Sequence, residues 1–184
     1  MDTYAPRLLL AKDRTTQPWA NGGGSATLVA IHPETATVSD FDWRVSIASV
    51  EKDGDFSDHP DVQRHLMPLS TTGLTLIVNG QTHRLPGFES FEFSGDSAVQ
   101  ATNVSSASLD LNLMVRRDKA VGSLTTQPVT RGLNIAAAPN EFVVLVLLDA
   151  AFGLAYLDAV ELQPDSNINL DGAGLVAIAR IMAV

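Results

Sequence analysis

Arg44 and Ser46 stand two apart in Asp42-Trp43-Arg44-Val45-Ser46-Ile47-Ala48, where Phe41, Trp43, Val45 and Ile47 alternate with polar or small neighbours. Alternation with a period of two marks a strand, with Asp42, Arg44, Ser46 and Ala48 on the face opposite the large apolar side chains. A second alternating stretch runs from Leu109 to Val115. There Asp110, Asn112 and Arg116 share one face and Leu109, Leu111 and Leu113 the other. Arg64 follows the segment that holds Phe56 and Ser57. Guanidinium, amide and hydroxyl groups supply hydrogen-bond donors and little proton transfer at neutral pH. The chemistry on offer is recognition of a small carboxylate or a similar planar oxyanion. Such faces are either solvated surface or the lining of a polar cavity, and Arg116-Arg117 also fits a charged strand end.

Other chemistries find less support. The four histidines, His32, His59, His65 and His83, form no His-x-His pair and have no carboxylate at a matching interval, whereas a Zn or Fe site needs several converging ligands. No metal, cofactor or catalytic residue is expected. His32 and His59, each followed by proline, read as loop residues. Without cysteine or a Gly-x-Ser-x-Gly elbow, a nucleophilic serine has no identifiable base. Gly22-Gly23-Gly24 lacks the Lys-Ser/Thr of a phosphate loop. Its glycines suit a tight turn or a close backbone approach, and Trp19 and Asn21 beside them are candidate pocket walls. Trp43 reads as core packing.

Four segments, in order across residues 18 to 117, resemble the HutD/Ves family: Pro18-Trp19-Ala20-Asn21-Gly22-Gly23-Gly24; Asp40 to Ala48; Asp53-Gly54-Asp55-Phe56-Ser57; and Asp110 to Arg117 as D-x-N-x-M-x-R-R. The resemblance implies a double-stranded β-helix (bicupin, RmlC-like jelly roll) with two cupin-like halves in one chain, and a bacterial cytoplasmic location. For the HutD branch it implies a small-molecule-binding role in regulating histidine utilisation, with formylated amino acids such as formylglutamate as ligands; the Ves branch is tied to stress response. The family commonly has Lys where Ala20 stands, so any role of that ammonium group is missing here.

The candidate ligand-binding set is Trp19, Asn21, Arg44, Ser46, Arg64, Asn112 and Arg116. The function read from it is metal-independent binding of a small carboxylate by a HutD-like sensor or modulator of histidine utilisation or related amino-acid catabolism. One alternative is a metal-independent cupin enzyme, an isomerase or deformylase; Tyr4 and Tyr156 sit in no motif, which disfavours it. Another is a protein-interaction module whose barrel is filled by side chains.

Positioning these residues requires strands. Ala26 to Ile31, Trp43 to Val50, Leu66 to Leu69, Leu74 to Val78, Gln81 to Leu85, Ala98 to Val104, Leu109 to Val115, Phe142 to Leu148 and Leu175 to Met182 make an all-β pattern, with Asn79-Gly80 as a type I′ hairpin turn. Leu85, Phe91, Phe93 and Val99 recur at one constant offset as Leu162, Ile168, Leu170 and Val176; upstream, Gly73 to Leu76 matches Gly153 to Tyr156. The repeat suggests residues 1–120 as a half carrying the pocket and 121–184 as a mainly structural half, with strand exchange between them. Thr125 to Asn140, with Pro128, Gly132 and Pro139, reads as a connector.

A chain of 184 residues buries enough surface to fold without staples, and it has no cysteine to form them. The net charge of −9 disfavours nucleic acid and anionic membrane surfaces. The first residues lack the basic start and apolar run of an export signal. Phe142 to Leu148 is too short to span a bilayer.

Overall fold

The computed structural model describes residues 5–19 and 22–184. Their regular structure is β throughout, apart from one 3-10 turn at Ala11–Asp13. The strands are β1 (Arg7–Leu9), β2 (Thr16–Pro18), β3 (Gly24–His32), β4 (Trp43–Val50), β5 (Gly54–Asp55), β6 (Val62–Pro68), β7 (Leu74–Val78), β8 (Gln81–Leu85) and β9 (Phe91–Ser94). They continue as β10 (Val99–Thr102), β11 (Ser108–Arg116), β12 (Ala120–Val129), β13 (Leu133–Ala136), β14 (Glu141–Leu147), β15 (Ala159–Leu162), β16 (Asn167–Leu170) and β17 (Gly174–Ala183).

Four sheets stack as layers. A four-stranded sheet, β5-β10-β7-β8, faces a six-stranded sheet, β2-β3-β4-β11-β6-β9; a five-stranded sheet, β1-β15-β14-β17-β12, follows, and then the pair β13-β16. Side-chain alternation dictates this order. On β4 and β11 the apolar set Trp43, Val45, Ile47, Leu111, Leu113 and Val115 packs against Val144, Val146, Ala177 and Ile181 of the five-stranded sheet, forming the largest core. β14 is buried on both faces, because Val143, Leu145 and Leu147 turn to a second core with Leu133, Ile135 and Leu162. That double burial explains its unbroken apolar run. The remaining face of the six-stranded sheet looks toward Leu74, Leu76, Val99 and Ala101 of the four-stranded sheet.

Several sequence expectations meet their counterparts. Asn79 and Gly80 both have positive φ, 49° and 81°, as a type I′ turn between β7 and β8 requires. Trp43 is fully buried, stacked on His32 and tilted against Phe142. His32 is thus the last residue of β3, paired with Trp43, and not a loop residue. The connector expected at Thr125 to Asn140 is instead the end of β12 followed by β13. Pro128 tolerates a strand because β12 lies at a sheet edge, where a missing N–H breaks no ladder.

Strands β6 to β10 and β13 to β17 follow one pairing scheme. In each run the first strand pairs with the fourth (β6 with β9, β13 with β16), and the second pairs with both the third and the fifth. In that scheme β7 corresponds to β14, so Gly153 to Tyr156 is not the counterpart of Gly73 to Leu76. The turn 117–119 carries the chain from the six-stranded to the five-stranded sheet. In the reverse direction, β1 crosses to the five-stranded sheet and pairs with β15, where Arg7 reaches the buried carboxylate of Glu161 at 2.5 Å.

Candidate functional site

A cavity of about 220 Å³ opens between the six-stranded sheet and the segment 55–59. Its floor is set by strand parity. β4 presents Arg44, Ser46, Ala48 and Val50; β11 presents Asp110, Asn112 and Met114; β6 presents Arg64 and Leu66; β3 adds Ala26. Asp55, Phe56, Ser57 and His59 form the opposite wall, and Trp19 closes one side with its ring edge-on to Phe56 at 6.0 Å.

The loop before β3 holds Trp19 in place. Its N–H donates to the Gly24 carbonyl at 2.9 Å, and the Gly22 N–H donates to the Trp19 carbonyl at 3.0 Å. Gly22 has φ +64°, and a Cβ on Gly24 would run into the Ser49 carbonyl oxygen and meet the Trp19 ring at 3.2 Å. Gly24→Ala is therefore expected to destabilise the fold by about 1–3 kcal/mol, as overpacking does, and to displace Trp19. A lower melting temperature with altered tryptophan fluorescence is the measurement; an unchanged melt would mean that the strand yields freely.

Arg64 is the most enclosed cation, 5% exposed. Its guanidinium lies over the rings of Phe56 and Phe93, at 5.3 and 4.9 Å, and donates at 3.4 Å to the Ser57 carbonyl and to Oδ1 of Asn112. Those are long bonds, and Nε is buried without a partner. Arg44 likewise has a buried, unpartnered Nε. Among the described residues neither guanidinium forms an ion pair, and burial together with the neighbouring Arg44 charge pulls Arg64 down to about 10. Burial also lowers Arg44. His59 is held down to about 4, first by burial and then by the positive charges of Arg64 and Arg44, so it is neutral at physiological pH. Asp110, fully enclosed, accepts a bond from Ser108 Oγ at 3.0 Å and is pushed up to about 7 by burial.

The structure thus brings Trp19, Arg44, Ser46, Arg64 and Asn112 around one space. Asn21 lies outside the described residues. Arg116 is not brought to the cavity: although it shares the face of Asn112, the cluster of Phe41, Val62 and Met114 intervenes. Its guanidinium instead donates to the carbonyls of Phe41 and Ser39. The cavity also takes in residues outside the candidate set: Asp110 and His59, and the wall residues Asp55, Phe56 and Ser57. Four of these five lie within segments already quoted for the family resemblance, and the register of β11 with β4 puts Asp110 in line with Asn112. Among the described residues no three His, Asp or Glu side chains gather into a metal-binding group, and no helix is long and apolar enough to cross a membrane.

Layered antiparallel sheets with a polar cavity on the inner face of one of them define a cupin-like β protein. The HutD family model matches residues 11–179, and the chain belongs to the HutD family. Protein Ves of Citrobacter koseri is 41% identical over 103 residues, 55% of this chain and 53% of that protein. An uncharacterized 21.2 kDa protein in the hutC 3′ region of Pseudomonas putida is 38% identical over 109 residues, 59% of this chain and 57% of that protein. The chain spans little more than half the length of these curated relatives. Among solved structures, a conserved protein of unknown function from Pseudomonas aeruginosa PAO1 is 26% identical with a TM-score of 0.84, covering 98% of this chain and 100% of that one. HutD from Pseudomonas fluorescens SBW25, in a formate condition, has a TM-score of 0.82 at 24% identity, covering 98% and 100%. A cupin 2 conserved barrel domain protein from Leptotrichia buccalis shares the fold at a TM-score of 0.57 and 8% identity, covering 100% and 98%.

Proposed function

We propose that the protein binds a small carboxylate metabolite without a metal and serves as a HutD-like sensor or modulator of histidine utilisation or related amino-acid catabolism in the cytoplasm. The observation that carries this reading is the pair of guanidinium groups at one cavity, Arg64 buried and Arg44 half-buried with its Nε enclosed, neither with an ion pair among the described residues. Burying charge is costly unless it is paired, so the pair is best accounted for by an anion that arrives from outside. The cavity volume, about 220 Å³, lies below the roughly 300–1,000 Å³ of pockets that hold drug-sized ligands and suits a metabolite. The recurring pairing scheme of β6 to β10 and β13 to β17 supports a bicupin organisation. In it the half spanning 1–120 carries the site, and the half spanning 121–184 supports it.

A thermal melt tests this directly. Formate, formylglutamate, glutamate, urocanate and neutral sugars are compared side by side, and an acid at 100 times its dissociation constant should stabilise the fold by about 2.7 kcal/mol. Stabilisation by sugars and not by acids would sink the reading. A second reading, a metal-independent isomerase or deformylase, is favoured by one observation: Asp110, raised to about 7, is a group able to exchange a proton near neutrality. Mass spectrometry of the incubated acid separates the two, because a sensor returns its ligand unchanged.

A further inference from the structure

The cavity floor is sorted along β11. Arg44, Met114 and Arg64 lie in one cross-strand row; Ser46, Asn112 and Leu66 form the next; Ala48, Asp110 and Pro68 form the third. Four residues of extended chain put the Cα positions of the arginine row and the Asp110 row about 14 Å apart. The Arg64 guanidinium reaches back to Asn112 in the middle row at 3.4 Å, so cationic donors fill one end and the middle, and the carboxyl group of Asp110 stands toward the other end. Asp110 Oδ1 takes the Ser108 hydroxyl, whereas Oδ2 is buried with no partner.

Among the described residues, the charged and titratable groups that line this space beside Asp110 are Arg44 from β4, Arg64 from β6, and Asp55 and His59 from the opposite wall; β3 supplies Ala26, and β7 and β10 supply none. Asp110 forms no ion pair with either guanidinium. A buried carboxyl group with no cation at hand is favoured in its protonated form, and a protonated carboxyl has one O–H to give.

We propose that Asp110 is a proton-carrying recognition group, donating a hydrogen bond from Oδ2 to an oxygen at the far end of the ligand. The site then takes an elongated acid, one carboxylate on the arginines and a carbonyl or second carboxylate oxygen at Asp110. This rests on the carboxylate reading above and adds to it a second anchor and a proton. No covalent bond changes; the proton stays between Asp110 and the ligand oxygen and is drawn from solution when the group starts ionised.

Titration calorimetry of the full chain with adipate, 6-aminohexanoate and formate, in two buffers of different ionisation heat near pH 6.5 and pH 8.5, tests it. His59 is neutral at both pH values, since it is held at about 4. Adipate is expected to bind with uptake approaching one proton at the higher pH and much less at the lower. Its affinity should weaken by up to about tenfold per pH unit above the Asp110 midpoint. Asp110→Asn, which keeps an N–H donor, should make adipate affinity independent of pH and abolish the uptake.

Adipate binding in the wild type without proton uptake overturns the proposal, as does a preference for 6-aminohexanoate, which would mark Asp110 as an ionised partner for ammonium. Uptake that persists in Asp110→Asn also overturns it. Formate binding without adipate binding overturns this proposal and leaves the carboxylate reading standing; binding by none of the acids overturns both.

Discussion

Arg64→Met is expected to leave the ligand-free protein as stable as the wild type or more so, by up to about 1–2 kcal/mol, while removing most of its affinity for carboxylates. The native site holds this guanidinium at about 10, well below the usual guanidinium range, a strain on the charged form worth at most about 3–4 kcal/mol. Against relief of that strain stand two aromatic contacts and two hydrogen bonds at 3.4 Å. Cation–π contacts contribute about 0.5–2 kcal/mol each, and bonds of that length contribute little. Methionine keeps the contact with Phe56 and Phe93 and leaves no buried charge. For binding the sign reverses, since losing one partner of a desolvated charge pair costs roughly 2–5 kcal/mol. Arg44→Met should show the same loss of affinity. Melting curves and calorimetry on the two variants decide: a variant that unfolds early and still binds would make Arg64 a structural residue.

Part of this site was legible in the sequence. Arg44 obeys the alternation, standing polar between Trp43 and Val45; the period alone leaves its face either solvated or lining a cavity, and the family resemblance carried by that strand makes it a candidate. Parity then extends the inference from Arg44 to Ser46 and from Asp110 to Asn112, because every second residue of a strand shares a face. Parity does not say where a cavity ends. Arg116 obeys it and still lies beyond Phe41 and Met114, a boundary set by Phe41, which precedes β4 and packs with Val62 and Met114 on the cavity face of the sheet. The wall made by Phe56 and His59 was illegible for a related reason: a short segment held by β5 against β10 and by the His59 N–H on the Gly95 carbonyl carries no periodic signal of what it covers. Pro128 misled because an edge strand tolerates residues that interior strands do not, whereas Gly132 does lie in a connection, the short one between β12 and β13.

The largest pH effect is expected from Asp110 and His59, whose contributions oppose each other. Asp110 is raised from 3.8 to about 7, so the native state holds a proton that the unfolded chain releases. Its contribution is fully present below about pH 4, is lost as pH rises toward 7 and is constant above; the shift corresponds to at most about 4 kcal/mol. His59 is lowered from 6.5 to about 4, so here it is the unfolded chain that binds the extra proton. Its contribution is absent below about pH 4, grows as pH rises to about 6.5 and is then constant. Because the two windows overlap, the wild-type stability profile between pH 4 and 6.5 should be flatter than either group alone would make it. Asp110→Asn removes the falling arm, and its denaturant midpoint should climb with pH across that window. His59→Gln removes the His59 part of the rising arm, leaving that of buried His65, which is also lowered, and its midpoint should fall relative to the wild type as pH rises to about 6.5. Profiles parallel to the wild type in both variants would mean that neither group titrates away from its ordinary value. The proton assigned to Asp110 at neutral pH would then be lost with it.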